Sequence, residues 1–194
     1  MKTKFPDKPG IEMDDGFAVA RLNVDGTHYG LILPPKAESE HAPITWNDSL
    51  KMVKGALSYC DGLANTKAMA KGGSQLARWA LDNNMHLPSL DEMELLYRHF
   101  KPGTTKNVCY ARSGINLSAV PPTYPYTPDA PKQIKLKAFR EGGPEAFELA
   151  WYWTSTQHAP VAGYAWLQFF SDGNQYGYHK SGYYRARTVR RIKI

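Results

Sequence analysis

Leu87-Pro88-Ser89-Leu90-Asp91-Glu92-Met93-Glu94-Leu95-Leu96-Tyr97-Arg98-His99-Phe100-Lys101-Pro102-Gly103 is the stretch on which the reading of this chain turns. Ser89 followed three residues later by Glu92 is a capping box. The hydroxyl can accept from a free amide of the first helical turn, while the carboxylate reaches back to the amide of the cap itself. Met93, Leu96 and Phe100 then recur on one face at helical spacing, and Lys101-Pro102-Gly103 ends the run. The spacing predicts a helix from residue 90 to about residue 100 with one buried face.

Working outward, residues 16–33 read as a β-hairpin: Phe17, Val19, Leu22 and Val24 lead into Asp25-Gly26, and Tyr29, Leu31 and Leu33 lead out. Pro34-Pro35 then stops pairing. Thr45 is positioned to cap a helix carrying Trp46, Leu50, Val53 and Leu57 inward. A further helix is expected from Ser74 through Leu76, Trp79 and Ala80 to Asn83-Asn84. Residues 103–131 are rich in Pro, Tyr, Ser and Thr and exclude a helix; a loop of that length in a compact domain is usually functional. After Gly142-Gly143 come four strand-like runs, 151–157, 164–170, 174–180 and 183–192, the last three separated by Asp172-Gly173 and Ser181-Gly182. They predict a C-terminal antiparallel meander, and with the helices an α+β fold.

Composition bounds the function classes. With 194 residues, 42% hydrophobic, 12 Tyr and 5 Trp, the chain can bury a core without a metal or disulfide staple. It has no apolar run of about 20 residues to span a membrane, and residues 1–7 are polar rather than a signal peptide. Cys60 and Cys109 lack zinc-site spacing and are expected to be unpaired thiols of a protein made in the cytoplasm. The net charge of +6 is concentrated in Arg185, Arg187, Arg190, Arg191 and Lys193. That run alternates with Ala186, Val189 and Ile192, as a strand with one wet face does, which speaks against nucleic acid as partner.

Several motifs in fixed order carry a family resemblance: Asp61-Gly62-Leu63-Ala64-Asn65-Thr66, then Leu87-Pro88-Ser89 with Glu92 and Leu95-Leu96-Tyr97, then Phe139-Arg140-Glu141-Gly142-Gly143-Pro144-Glu145-Ala146-Phe147, then Tyr152-Trp153-Thr154-Ser155-Thr156. Ala165-Trp166, Asp172-Gly173 and Tyr184-Arg185-x-Arg187-x-Val189-Arg190 close the series. Together they resemble an uncharacterised family typified by the C-terminal domain of a bacterial collagen-like adhesin and common in phage and surface proteins. The resemblance implies a C-type-lectin-like fold, shared with formylglycine-generating enzymes, over residues 46–194. A Pro-rich insertion near 103–131 interrupts it, and a hairpin extension over 1–45 precedes it. Met85-His86 stands where the family has Asp-Trp. The implied role is that of a non-catalytic virion protein, an adhesin or a decoration subunit. Its expected partners are a host-surface glycan or protein or other virion subunits, as a homo-oligomer without membrane insertion, on the virion or a bacterial cell surface. A purely structural assembly protein and a degenerate formylglycine-generating-type oxidase are the alternatives.

The same resemblance places the binding surface between Gly173 and Arg185, where the chain reads Asn174-Gln175-Tyr176-Gly177-Tyr178-His179-Lys180-Ser181-Gly182-Tyr183-Tyr184. Asn174, Gln175, Tyr176, Tyr178, His179, Lys180 and Tyr183 are the candidate contact residues, because Tyr offers large rigid area and a hydroxyl at low entropic cost. Tyr176 and Tyr178, two apart, equally fit the packing of one sheet face. Trp153 and Trp166 are read as buried scaffold. Trp46-Asn47-Asp48 spells the tripeptide of calcium-dependent lectins, but it opens a predicted helix and has no Glu-Pro-Asn partner, so no calcium, other metal or cofactor is expected. Ser155 lacks a Gly-x-Ser-x-Gly elbow, and His41, His86, His158 and His179 have no paired spacing. The oxidase relatives use a late cysteine pair, yet no cysteine follows Cys109.

Overall fold

Both halves of the predicted capping box form. In the computed structural model, Ser89 Oγ accepts from Glu92 N–H at 3.2 Å, and Glu92 Oε2 accepts from Ser89 N–H at 2.7 Å. The structure describes residues 5–110 and 112–194; residues 1–4 of the polar N-terminal stretch and Ala111 of the Pro-rich segment lie outside the described residues.

The chain is α+β. Strands β1 (Glu12–Met13), β2 (Gly16–Val24) and β3 (Thr27–Leu33) lead to the one-turn helix α1 (Lys36–Ser39) and β4 (Glu40–Ile44). Helices α2 (Gly62–Lys71), α3 (Gln75–Asp82) and α4 (Leu90–Phe100) follow, then the short β5 (Ala119–Val120). The chain closes with β6 (Trp151–Gln157), β7 (Tyr164–Phe169), β8 (Gln175–His179), β9 (Tyr184–Arg187) and β10 (Arg190–Lys193). One sheet runs β1-β2-β3-β10 with β5 also on β2; the other runs β4-β9-β6-β7-β8. The predicted hairpin turns at Asp25 and Gly26, both at positive φ (47° and 85°), as a two-residue turn requires.

The end of the chain departs from the meander. β6, β7 and β8 do form one, but β9 crosses to pair in parallel with β6 and antiparallel with β4, and β10 leaves for the hairpin sheet, opposite β3. The pivot is Thr188-Val189. Thr188 donates its N–H to Ser39 O at 2.8 Å, and Val189 exchanges backbone bonds of 2.9 Å with His86. The hairpin and the last strand therefore share one sheet. Arg187 is likewise not on a wet face. It is fully buried, donating from Nη2 to Glu145 Oε2 at 3.0 Å with its guanidinium 4.8 Å above the Phe147 ring.

No helix forms over residues 45–57, where the apolar spacing predicted one. Trp46 and Val53 are buried, but Leu50 and Leu57 are exposed. Local side chains capture the amides a helix would use: Asn47 Oδ1 accepts from Ser49 N–H and Ser49 Oγ from Lys51 N–H, and Gly55 sits at φ 94°. The helix the apolar pattern did not reveal is α2, capped by Asp61, whose carboxylate accepts from Ala64 N–H at 2.9 Å. Gly62 is required there by contact: a Cβ would fall against the Glu92 carboxylate and 2.6 Å from Leu87 O. The Ser74-capped α3 forms where expected.

Tyr152 and Trp153, adjacent in β6, point to opposite faces and join different cores. Tyr152 lies with Leu22, Leu31, Leu96, Phe100 and Phe147, while Trp153 lies with Trp46, Leu76, Leu87 and Leu167. The Pro-rich segment packs back along α4. Arg98 donates to Gly114 O and Tyr124 O, Asn116 Nδ2 to Glu94 Oε2, and the Tyr126 hydroxyl to Glu94 Oε1. Burial pushes the Glu94 carboxyl above its ordinary range, against the opposing pull of Arg98.

Trp166, read above as buried, is only half-buried, and its indole N–H has no hydrogen-bond partner among the described residues. Trp153 is fully buried and donates to Ile44 O at 2.8 Å. In denaturant unfolding, Trp153→Ala should cost about 3–5 kcal/mol and Trp166→Ala clearly less. Ser89→Ala should cost at least about 1 kcal/mol through loss of the cap; equal costs for the two tryptophans, or a neutral Ser89 substitution, would contradict this packing.

Candidate functional site

β8 is the terminal strand of its sheet, held at each end by a turn with its own chemistry. At the entry, Gly173 at φ 81° packs beneath Tyr97, and Asp172 Oδ1 accepts from Asn174 N–H at 3.0 Å. At the exit, Gly182 N–H donates to His179 O at 2.9 Å and His179 Nδ1 lies 3.2 Å from Ser181 Oγ.

Strand alternation sorts the seven candidate residues. Tyr176 and Tyr178 face the same way, opposite Leu167 and Ala165, and are 57% and 48% exposed; Tyr183, in the turn, is 72% exposed. Asn174 and His179 are half-buried, the latter with its ring centroid 5.2 Å from that of Tyr164. Gln175 and Lys180, expected at the surface, are both buried. Gln175 Nε2 donates to Gln168 Oε1 at 2.8 Å and Leu90 O at 3.2 Å, tying the strand to α4. Lys180 Nζ donates to Gln157 Oε1 at 2.5 Å and Lys51 O at 3.0 Å and sits 4.7 Å above the Trp46 ring. No carboxylate among the described residues pairs with Lys180, and burial pulls its ammonium down to about 8.

Three aromatic residues outside the candidate set extend the surface. Tyr184 is wedged edge-on between Tyr178 (5.5 Å) and Trp153 (5.0 Å), and burial together with Tyr178 pushes its hydroxyl up to about 12. Trp151 stacks on Phe169 at 4.7 Å. Period-2 spacing from Trp153 and Leu167 places Trp151 and Phe169 on the face that carries Tyr176 and Tyr178, and that spacing was the available signal. A face of this kind offers flat apolar area with hydroxyl donors, suited to stacking and hydrogen bonding.

Other polar groups are committed elsewhere. Asn47 is buried, with Nδ2 donating to Gly72 O, and Asp48 Oδ1 accepts from Thr45 Oγ1. His86 Nε2 meets Glu92 Oε1 at 3.2 Å. The cleft lined by Asp15, His86, Arg190 and Arg191 has both arginines beside carboxylates, Asp15 at 3.7 Å and Asp61 at 3.0 Å. Cys60 and Cys109 are free thiols. No protein-family model matches the chain, and no curated protein matches it in sequence, so the site rests on its geometry.

Lys180 gives that geometry a pH signature. Its folded pKa lies below the ordinary value of 10.5, so between about 8 and 10.5 the unfolded chain holds a proton that the folded protein has released. Stability contributed by this group therefore rises with pH across that window and is flat below it. Lys180→Met should remove this rise, seen as a difference in slope between the two proteins in urea unfolding from pH 7 to 10.5; identical slopes would mean that the buried ammonium is not desolvated.

Proposed function

We propose that this protein is a non-catalytic recognition module of the C-type-lectin-like kind, carried on a phage-type virion, and that it contacts a host-surface glycan or protein through the aromatic face of β8 and the β8–β9 turn. The observation that carries this reading is the division of labour along residues 174–184. Gln175 and Lys180 anchor the segment inward, while Tyr176, Tyr178 and Tyr183 are held outward on a rigid base. Aromatic groups held in place lose little entropy on binding, which is how a small surface gains affinity. Individual contacts of this size are weak, and repeated copies on a particle raise effective affinity.

The test is binding of the purified chain to immobilised bacterial surface polysaccharides and envelope proteins. Tyr176→Ala/Tyr178→Ala/Tyr183→Ala should weaken binding by ~100-fold or more, since aromatic anchors contribute about 2 kcal/mol each. The melting temperature should shift little, because all three rings are exposed. A triple variant that binds as tightly as the parent would place the site elsewhere.

A further inference from the structure

The backbone of β8 carries information that its side chains do not. Phe169 N–H donates to Asn174 O and Lys180 N–H donates to Gly163 O, each at 2.8 Å. Both bonds lie on the register that pairs Leu167 with Tyr176 and Ala165 with Tyr178. Antiparallel bonding alternates, so Asn174, Tyr176, Tyr178 and Lys180 turn their backbone groups toward β7. Gln175, Gly177 and His179 turn theirs toward the open edge; of these, the His179 carbonyl already accepts from Gly182.

This edge is unguarded. Natural sheets blunt their edges with charge, proline or bulges. The opposite edge, β4, does so with Glu40, Pro43 and a register shift between His41 and Ile44. β8 reads Gln-Tyr-Gly-Tyr-His, with no proline, carboxylate, lysine or bulge.

We propose that β8 pairs antiparallel with β8 of a second copy of this chain, about a two-fold axis at Gly177, joining two five-stranded sheets into one. The occupant follows from the symmetry of the strand. With Gly177 opposite Gly177 of the second copy, the two glycines exchange N–H···O bonds, and each Gln175 faces a His179, whose N–H finds the Gln175 carbonyl. Every outward-turned residue then meets another, in phase with the antiparallel alternation. The same register sets each Tyr176 opposite a Tyr178 in the closer, non-hydrogen-bonded kind of pair, where aromatic partners stabilise a sheet. No like charges are brought together. The contact is small, so the dimer is expected to be a weak one. It would double the tyrosine face, but the inference goes beyond the recognition role and does not depend on it.

Sedimentation of the full chain over roughly 1 µM to 1 mM, the range in which small interfaces associate, should show a monomer–dimer equilibrium. Tyr176→Lys/Tyr178→Lys puts lysine opposite lysine across the axis and should weaken association at least ~10-fold, whereas Tyr176→Lys/Tyr178→Glu puts lysine opposite glutamate and should restore it. Because both double variants change the same exposed positions, their difference reports the register. Amide hydrogen exchange of the unmodified chain needs no variant: Gly177 and His179 should gain protection as concentration rises. A chain that stays monomeric, double variants that associate alike, or exchange at Gly177 that ignores concentration would overturn the proposal. Tyr183→Ala keeps it separable from the recognition role, since it should leave the dimer intact while lowering ligand binding.

Discussion

Glu92 has no exposed surface, and its carboxylate is satisfied at a point where distant parts of the chain meet. A buried carboxylate is costly unless it is hydrogen-bonded. Here one oxygen takes the Ser89 amide and the other meets His86, while Gly62 lets the start of α2 approach closely. The same few residues are a junction for distant parts of the chain. Leu87 N–H donates to Thr66 in α2, Leu90 N–H to Thr156 in β6, Ser155 N–H to Pro88 O, and His86 pairs with Val189 before β10. Fixing the first turn of one helix therefore fixes α2, β6 and the return of the last strand together.

From that junction the constraint runs outward to the edge. Leu90, the first residue of α4, offers its carbonyl to Gln175, and Gln175 in turn holds Gln168. β8 is thus pinned to the helix by side chains beneath it. A strand secured from within can leave both its aromatic face and its outer backbone edge available. Those are separate resources: side chains alternate above and below the sheet, whereas amides and carbonyls lie in its plane.

What was legible in the sequence was what is decided within a few residues. The capping box, the Ser74 cap and the Asp25-Gly26 turn each depend on neighbours three residues away or fewer, and each forms. Residues 45–57 misled for the complementary reason: their apolar spacing was helical, but Asn47 and Ser49 capture local amides, a competition that periodicity does not register. At the site, the exposed tyrosines were legible and the burial of Gln175 and Lys180 was not. Their partners, Leu90, Gln157, Lys51 and Trp46, lie far away in sequence and are brought near only by the fold. Arg187 escaped notice in the same way, its partners being Glu145 and Ser39.

Two of the buried cations, Arg187 and Lys180, are held in different ways. Arg187 is held by the Glu145 carboxylate and backbone with Glu40 nearby, a compensated arrangement that locks the crossing of β9 to the two short elements before it. Among the described residues, Lys180 has only neutral partners: an amide oxygen, a backbone carbonyl and an indole face. Replacing an ion pair with neutral acceptors leaves more of the desolvation cost standing. That cost is borne where the turn after β8 is drawn toward Trp46, whose own amide donates to Lys180 O at 2.9 Å. A side chain that merely filled space could not reach both Gln157 and Lys51 from the end of an edge strand. The lysine therefore acts as a tether for the turn that carries Tyr183.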